Sequence, residues 1–229
     1  MGRLEYRTLR ENIADVIRMK IVNQELKPGD HIVEAELANE FGISRGPIRE
    51  ALRQLENEGL IEYKRNVGCS VKQITIQDSY EIYLMRIGYE TMSVRLVGGK
   101  IPGDTLKRME DILDKMKNLD AEHYDKVFAH DNEFHGELVK MVNMPRLYQA
   151  WCTLNYGSVI SGYAENIDKK YVVSRQYILH KELVDACRTG DTKSICRAIS
   201  EHYMKTIRHL LKEQGISEEE AGFCMDFLF

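Results

Sequence analysis

The tightest constraint on the fold lies at residues 34–59, "EAELANEFGISRGPIREALRQLENEG", where two helical runs stand three residues apart. Gly42 stops the first run, Glu34 to Phe41, and the second, 45–57, gives out before Gly59. So short a link, Gly42-Ile43-Ser44, forces the two helices to turn sharply and pack on each other. The flanks complete the pattern. Residues 6–24 carry Leu9, Ile13, Val16, Ile17, Met19 and Ile21 at helical spacing, and "LKPGD" is a turn followed by a short strand at "HIV". Downstream, the β-prone stretches "LIEYKR" and "CSVKQI" flank "NVG", a hairpin signal. Helix, strand, helix, tight turn, helix, hairpin is the order of a winged helix-turn-helix.

The second helix of the pair starts unusually. Ser44 is placed to cap it, its hydroxyl able to accept from a first-turn amide, and Pro47 sits where a missing N–H costs nothing. Gly46 keeps bulk away from the helix end. Arg45, Arg49 and Arg53 recur every four residues, opposite Ile48, Ala51, Leu52 and Leu55. Exposed amides and flanking arginines suit phosphate, and the same arginines reach guanine edges in a major groove. Read in isolation, the arginines are equally a solvated face paired with Glu50 and Glu56; inside a winged helix, DNA is the better reading. In the wing, Lys64, Arg65 and Asn66 are placed for backbone or minor groove, while Gly68 is also explained by turn geometry alone.

Charge does not advertise nucleic acid, since the chain carries a net −4. Residues 1–75 hold 12 Lys+Arg against 12 Asp+Glu, and the remainder 20 against 24. DNA contact must therefore come from local arginine placement. No apolar run is long enough for a membrane span and the start is no signal peptide, so a cytoplasmic protein is expected. The five cysteines, Cys69, Cys152, Cys187, Cys196 and Cys224, are scattered without a CxxC pair, against both a disulfide framework and a cysteine zinc site.

From about Asp78 helical periodicity takes over. Breaks at 98–104, Leu119-Asp120, "NMP" (143–145), Asn166-Ile167, "TGD" (189–191) and Gly215 predict about six helices of roughly 15–22 residues and a short C-terminal one. The chain thus divides into a winged helix, 1–75, and an all-helical bundle, 76–229. In "DNEFH", Asp131 and His135 share a face with Val127 or Phe128, Leu138 and Val142, so both point at a core. His180 and His202 lie about equally far either side of the Gly190-Asp191 turn, which sets them at one height, roughly 16 Å from it, in an antiparallel hairpin. Ile178, Leu183, Ile199 and Met204 are the apolar neighbours expected there. One carboxylate and three imidazoles suit a borderline divalent ion, zinc, nickel, manganese or iron. Hydrogen-bonded core histidines remain the alternative, and His209 is the histidine most able to join the set.

The stretch from "LKPGD" through "NVGCSV" resembles the DNA-binding domain of GntR-type bacterial repressors, with its PG turn, ELA, G(V/I)SR(T/G)P(V/I)REAL helix and GLI…G wing. Where many members carry an arginine before the ELA glutamate, this chain has Ala35, so that DNA contact is not carried over. Residues from about 75 to 225 resemble the FCD ligand-binding domain of the FadR branch, nearer its shorter, VanR-like subgroup. The resemblance implies that Asp131, His135, His180 and His202 hold a metal and that Arg86 points toward an effector cavity. Set among Ile82, Leu84, Met85 and Ile87, Arg86 needs an anion, either Glu90 or a bound small carboxylate. Long-chain acyl-CoA is not expected, because that type lacks the metal set. The whole is read as a ligand-responsive transcriptional regulator, a repressor and homodimer on a palindromic DNA operator. The rivals are a regulator for which the metal itself is the signal and a metal-dependent enzyme, the latter lacking any assignable base or nucleophile.

Overall fold

The computed structural model describes residues 8–22, 25–65, 67–73, 75–123, 125–154 and 169–224, and the chain divides into two compact units, Met1–Ile74 and Thr75–Phe229.

In the first unit, α1 (Leu9–Val22) precedes β1 (His31–Ile32), α2 (Glu34–Phe41), α3 (Arg45–Asn57), β2 (Ile61–Lys64) and β3 (Gly68–Val71). The strands form an antiparallel sheet in the order β1-β3-β2, with Tyr63 opposite Cys69 in the hairpin. The three-residue link works as the sequence requires. Gly42 adopts φ 66°, a left-handed conformation open to glycine, and donates its N–H to the last carbonyls of α2. Ile13, Ile17 and Ile21 of α1 meet Ile48, Leu52 and Leu55 of α3 in a core closed by Leu60, Ile61 and Val71. One ion pair, Arg18 to Glu58 at 2.9 Å, ties α1 to the end of α3.

The second unit is helical: α4 (Ile76–Leu96), α5 (Gly103–Lys117), α6 (Asp125–Lys140), α7 (Pro145–Cys152), α8 (Lys169–Thr189), α9 (Thr192–Glu213) and the short α10 (Glu218–Ala221). A capping box, Thr75 with Asp78, starts α4. Five of the helices have the expected length; α7 does not. It runs for 8 residues, from Pro145 to Cys152, with Thr153 as its C-cap. The break expected at Asn166-Ile167 lies outside the described residues.

Between α8 and α9, Gly190 takes φ 68° and Asp191 caps α9 by accepting from the Ser194 amide. The α4–α5 turn fits closely against this one: a Cβ on Gly99 would lie 2.6 Å from the Gly190 carbonyl oxygen. The core around Met109, Ile112, Phe134, Leu138, Leu183, Ile195, Ile199 and Met204 is apolar except where a set of charged and imidazole groups enters it from α4, α6, α8 and α9. No helix among the described residues is long and apolar enough to cross a membrane.

Candidate functional site

On the first unit, α3 buries Ile48, Ala51, Leu52 and Leu55 and turns Arg45, Gly46, Arg49 and Arg53 outward. Ser44 holds the N-cap backbone position, but contrary to expectation its side chain makes no capping hydrogen bond. With no capping side chain over it, the helix end presents its first-turn amides. Of the pairings that a solvated face would make, Arg53 with Glu50 forms, at 3.3 Å, whereas Arg49 pairs instead with Glu34 of α2 at 2.9 Å. Tyr63 of the wing donates to the same Glu34 carboxylate at 3.4 Å. Arg65 and Gly68 are exposed on the hairpin, and Gly68 has φ 104°, so its glycine answers to the turn. Pro47 is half-buried in the first turn of α3, and Asn66 lies outside the described residues.

In the second unit Asp131, His135, His180 and His202 converge, all four buried, with one ligating atom from each within 4.8 Å of every other. α6 brings Asp131 and His135 to one face, and the α8–α9 hairpin sets His180 and His202 level, their ring centroids 4.7 Å apart. Leu183, Ile199 and Met204 pack around the hairpin as expected, whereas Ile178 is 59% exposed. It is two residues from His180, and a two-residue step rotates a helical side chain away from its neighbour's face.

The outer nitrogens of two histidines are spoken for. His135 Nδ1 donates to Glu90 Oε2 at 2.8 Å, and His180 Nδ1 donates to the Gln176 carbonyl at 2.8 Å. This assignment leaves lone pairs on both Nε2 atoms. His135 Nε2 faces His202 Nε2 at 3.1 Å, and His180 Nε2 stands 3.2 Å from Asp131 Oδ1. Among the described residues Asp131 Oδ2, His180 Nε2 and His202 Nδ1 are buried without a hydrogen-bond partner. Burial works against the Asp131 charge, but His180, His135 and Arg86 outweigh it and hold that carboxyl below its ordinary range. Burial, then His180 and His135, push His202 well below the usual imidazole range, toward the neutral form that binds metal. Converging lone pairs, orphaned buried atoms and oriented rings are what a divalent ion satisfies. The residues fit one.

Two family models match the chain: "Bacterial regulatory proteins, gntR family" over residues 9–71 and the FCD domain over residues 81–205. The chain belongs to the GntR family, with an FCD domain. Its similarity to the HTH-type transcriptional regulator YdhC of Bacillus subtilis (strain 168) is 39% identity over 99 residues, 43% of this chain and 44% of that one. With the gluconate operon transcriptional repressor of Bacillus licheniformis it shares 26% identity over 83% of this chain and 80% of that protein. A GntR transcriptional regulator from Rhodococcus sp. RHA1 has the same fold, with a TM-score of 0.74 at 21% identity over 89% of this chain and 97% of the other. Escherichia coli McbR/YncC gives 0.71 at 19% over 91% and 99%. The relatives are named as transcriptional regulators or repressors, and this GntR-family chain is a DNA-binding transcriptional regulator of that kind.

Arg86 of the FCD domain is fully buried beside the cluster. Its Nη1 donates to Asn132 at 3.1 Å and lies 3.9 Å from Asp131, its Nε is 3.7 Å from Glu90, and its guanidinium rests over Trp151 at 4.9 Å. Nε and Nη2 have no hydrogen-bond partner among the described residues. Glu90 does more than its proximity on the helix implied. Besides His135 it accepts from Trp151 Nε1 at 3.1 Å and Tyr203 Oη at 2.6 Å. Burial alone would raise its pKa, but His135, Arg86 and Tyr203 together lower it, keeping it ionised. The sequence marks Glu90 only as an i+4 neighbour of Arg86; nothing local signals Trp151. The other histidines lie elsewhere: His209 pairs with Glu213 at 3.3 Å, His123 with Asp120 and His130 with Glu133, and His31 is exposed on β1.

Proposed function

We propose that this regulator is a metal-dependent, ligand-responsive repressor that acts as a homodimer on a palindromic operator. Residues 1–75 supply the DNA-binding part and residues 76–229 the metal, effector and dimerisation part, of the VanR-like form on helix length. One observation carries the reading: a buried guanidinium with two unsatisfied nitrogens stands beside a buried Asp–His₃ cluster in a chain that also bears a winged helix. Asp131, His135, His180 and His202 would hold the ion, which supplies Lewis-acid attraction for an oxygen of a small carboxylate. Arg86 supplies the opposing charge, and the surrounding apolar core excludes water that would otherwise screen it. Such an effector is bound by charge at one end and leaves no role for a catalytic base.

On the DNA side, Ser44, Arg45, Gly46, Pro47 and Arg49 present the recognition-helix end, with Arg65, Asn66 and Gly68 in the wing. Arg45→Ala and Arg49→Ala will each weaken specific operator binding by about 1–3 kcal/mol, a loss read by electrophoretic mobility shift on a selected operator. Wild-type affinity in both variants removes α3 from the interface.

The effector reading is checked by titrating operator with protein that is metal-loaded, metal-stripped or Arg86→Ala, each with and without a carboxylate found by thermal-shift screening. Loaded protein should change DNA affinity roughly 5–150-fold on binding it, and the other two should not respond. An equal response in all three places the effector elsewhere. A response to metal with no carboxylate present makes the ion itself the signal, the one alternative the same cluster supports.

A further inference from the structure

A carboxylate on a DNA-facing surface repels phosphate, so Glu34 calls for a reason. It is the first residue of α2, its side chain is 24% exposed, and it touches both the recognition helix and the wing. Both its oxygens accept from Arg49 Nε, at 3.1 and 2.9 Å, and Tyr63 Oη of β2 approaches Oε1 at 3.4 Å. The neighbouring pair, Glu50 with Arg53, stands three residues apart within α3, both side chains more than half exposed, as ordinary surface pairs do. Glu34 instead reaches Arg49 from another helix.

Its backbone is held on both sides. Only Val33 separates Glu34 from β1, whose Ile32 pairs with Cys69 of the wing hairpin. One turn further on, Leu37 and Ala38 are buried where α2 packs on α3. Glu34 is therefore a fixed point against which a long side chain can be placed.

Arg49 needs such a point. Its side chain is 56% exposed, and Nη1 and Nη2 have no hydrogen-bond partner among the described residues. An unrestrained guanidinium, with five donors, is drawn to any nearby phosphate, a contact that adds affinity but carries no sequence. With Nε occupied, the Nη1–Nη2 end of the fork remains. That end matches O6 and N7 of guanine, whereas adenine presents a donor, its N6 amine, where guanine has O6.

We propose that Glu34 is a positioning residue for operator recognition: by holding Arg49 at Nε it turns the Nη1–Nη2 end toward a base edge and makes that arginine select guanine. This rests on α3 entering the major groove, as read above, and says how one of its arginines discriminates.

The test uses the full chain and an operator selected from random duplexes by the wild type. Competition with operators changed one base pair at a time measures discrimination, and circular dichroism checks folding. The position at which Arg49→Ala relaxes a guanine preference is the one this arginine reads. There, Glu34→Ala should lower discrimination about tenfold. Binding to random duplex should meanwhile tighten, and its salt slope steepen by about one, because the released arginine gains a phosphate. Simple damage to the fold would weaken random-duplex binding instead. Glu34→Gln keeps an acceptor for Nε without the charge, so it should retain most of the discrimination and still bind random duplex more tightly. Glu34→Ala/Arg49→Ala should discriminate no worse than Arg49→Ala alone. A further loss in that double variant would put Glu34 on a base itself, accepting from a cytosine amine, and overturn the positioning role. Unchanged guanine preference in Glu34→Ala, where Arg49→Ala loses it, overturns the role too and leaves α3 in the groove. Preferences intact at every position in Arg49→Ala overturn both readings.

Discussion

Purified protein will hold about one divalent ion per subunit, an expectation from four ligands making one site. Loading at a thousand times the dissociation constant will stabilise the fold by about 4 kcal/mol, read as a rise in Tm that chelator reverses. The folded form alone brings Asp131, from α6, to His180 and His202, from α8 and α9, so the unfolded chain competes weakly. His135→Ala and His202→Ala will each abolish most of that rise. Each also leaves the other side chains of the cluster with a buried, unpaired lone pair. Elemental analysis separates the two effects: full occupancy in both variants would mean that the ion binds elsewhere, with His209 and Glu213 the next pair to change.

Glu90→Ala will destabilise the protein by about 3–5 kcal/mol and lower metal affinity about 10–100-fold. The carboxylate accepts from His135, Trp151 and Tyr203 and faces Arg86, all at full burial. Removing it leaves three buried donors without their acceptor and the guanidinium with Asp131, at 3.9 Å, as its remaining carboxylate neighbour. Orientation goes too, since Glu90 fixes which nitrogen of His135 carries the proton. Glu90→Gln keeps the shape and an acceptor, so it will lose less stability than Glu90→Ala while still losing affinity. Urea denaturation of the metal-free protein isolates the first effect and metal titration the second. A loss below about 1 kcal/mol for Glu90→Ala would show that the pocket relaxes around Arg86 without it.

Both effects concern a site that was half legible in the chain. Periodicity alone set Asp131 with His135, and equal distance from Gly190 set His180 with His202, because helix geometry converts residue counts into positions. The same counting located α2 and α3 to the residue, since glycines end them. It failed wherever the partner comes from an element with no fixed register to the first. Trp151 reaches Glu90 from α7, a helix half the expected length, and Glu34 reaches Arg49 from α2 across the tight turn. Ser44 has the residue type of a cap and the backbone of one, yet its hydroxyl makes no capping bond. Residue type states what a side chain is able to do; its rotamer, set by neighbours far along the chain, decides whether it does. The roles of the arginines on α3 are of that kind.

The Gly190 turn gives the hairpin a further property: it acts as a ruler. His180 and His202 meet only because α8 and α9 have matched lengths measured from that turn. A single residue added to either helix between turn and histidine would move one ring about 1.5 Å along the axis and about 100° around it. Neither ring would be altered chemically, yet the pair would no longer face one point. The length of chain between the two histidines is therefore as much a part of the site as the histidines themselves, although no residue between them is a member of the cluster.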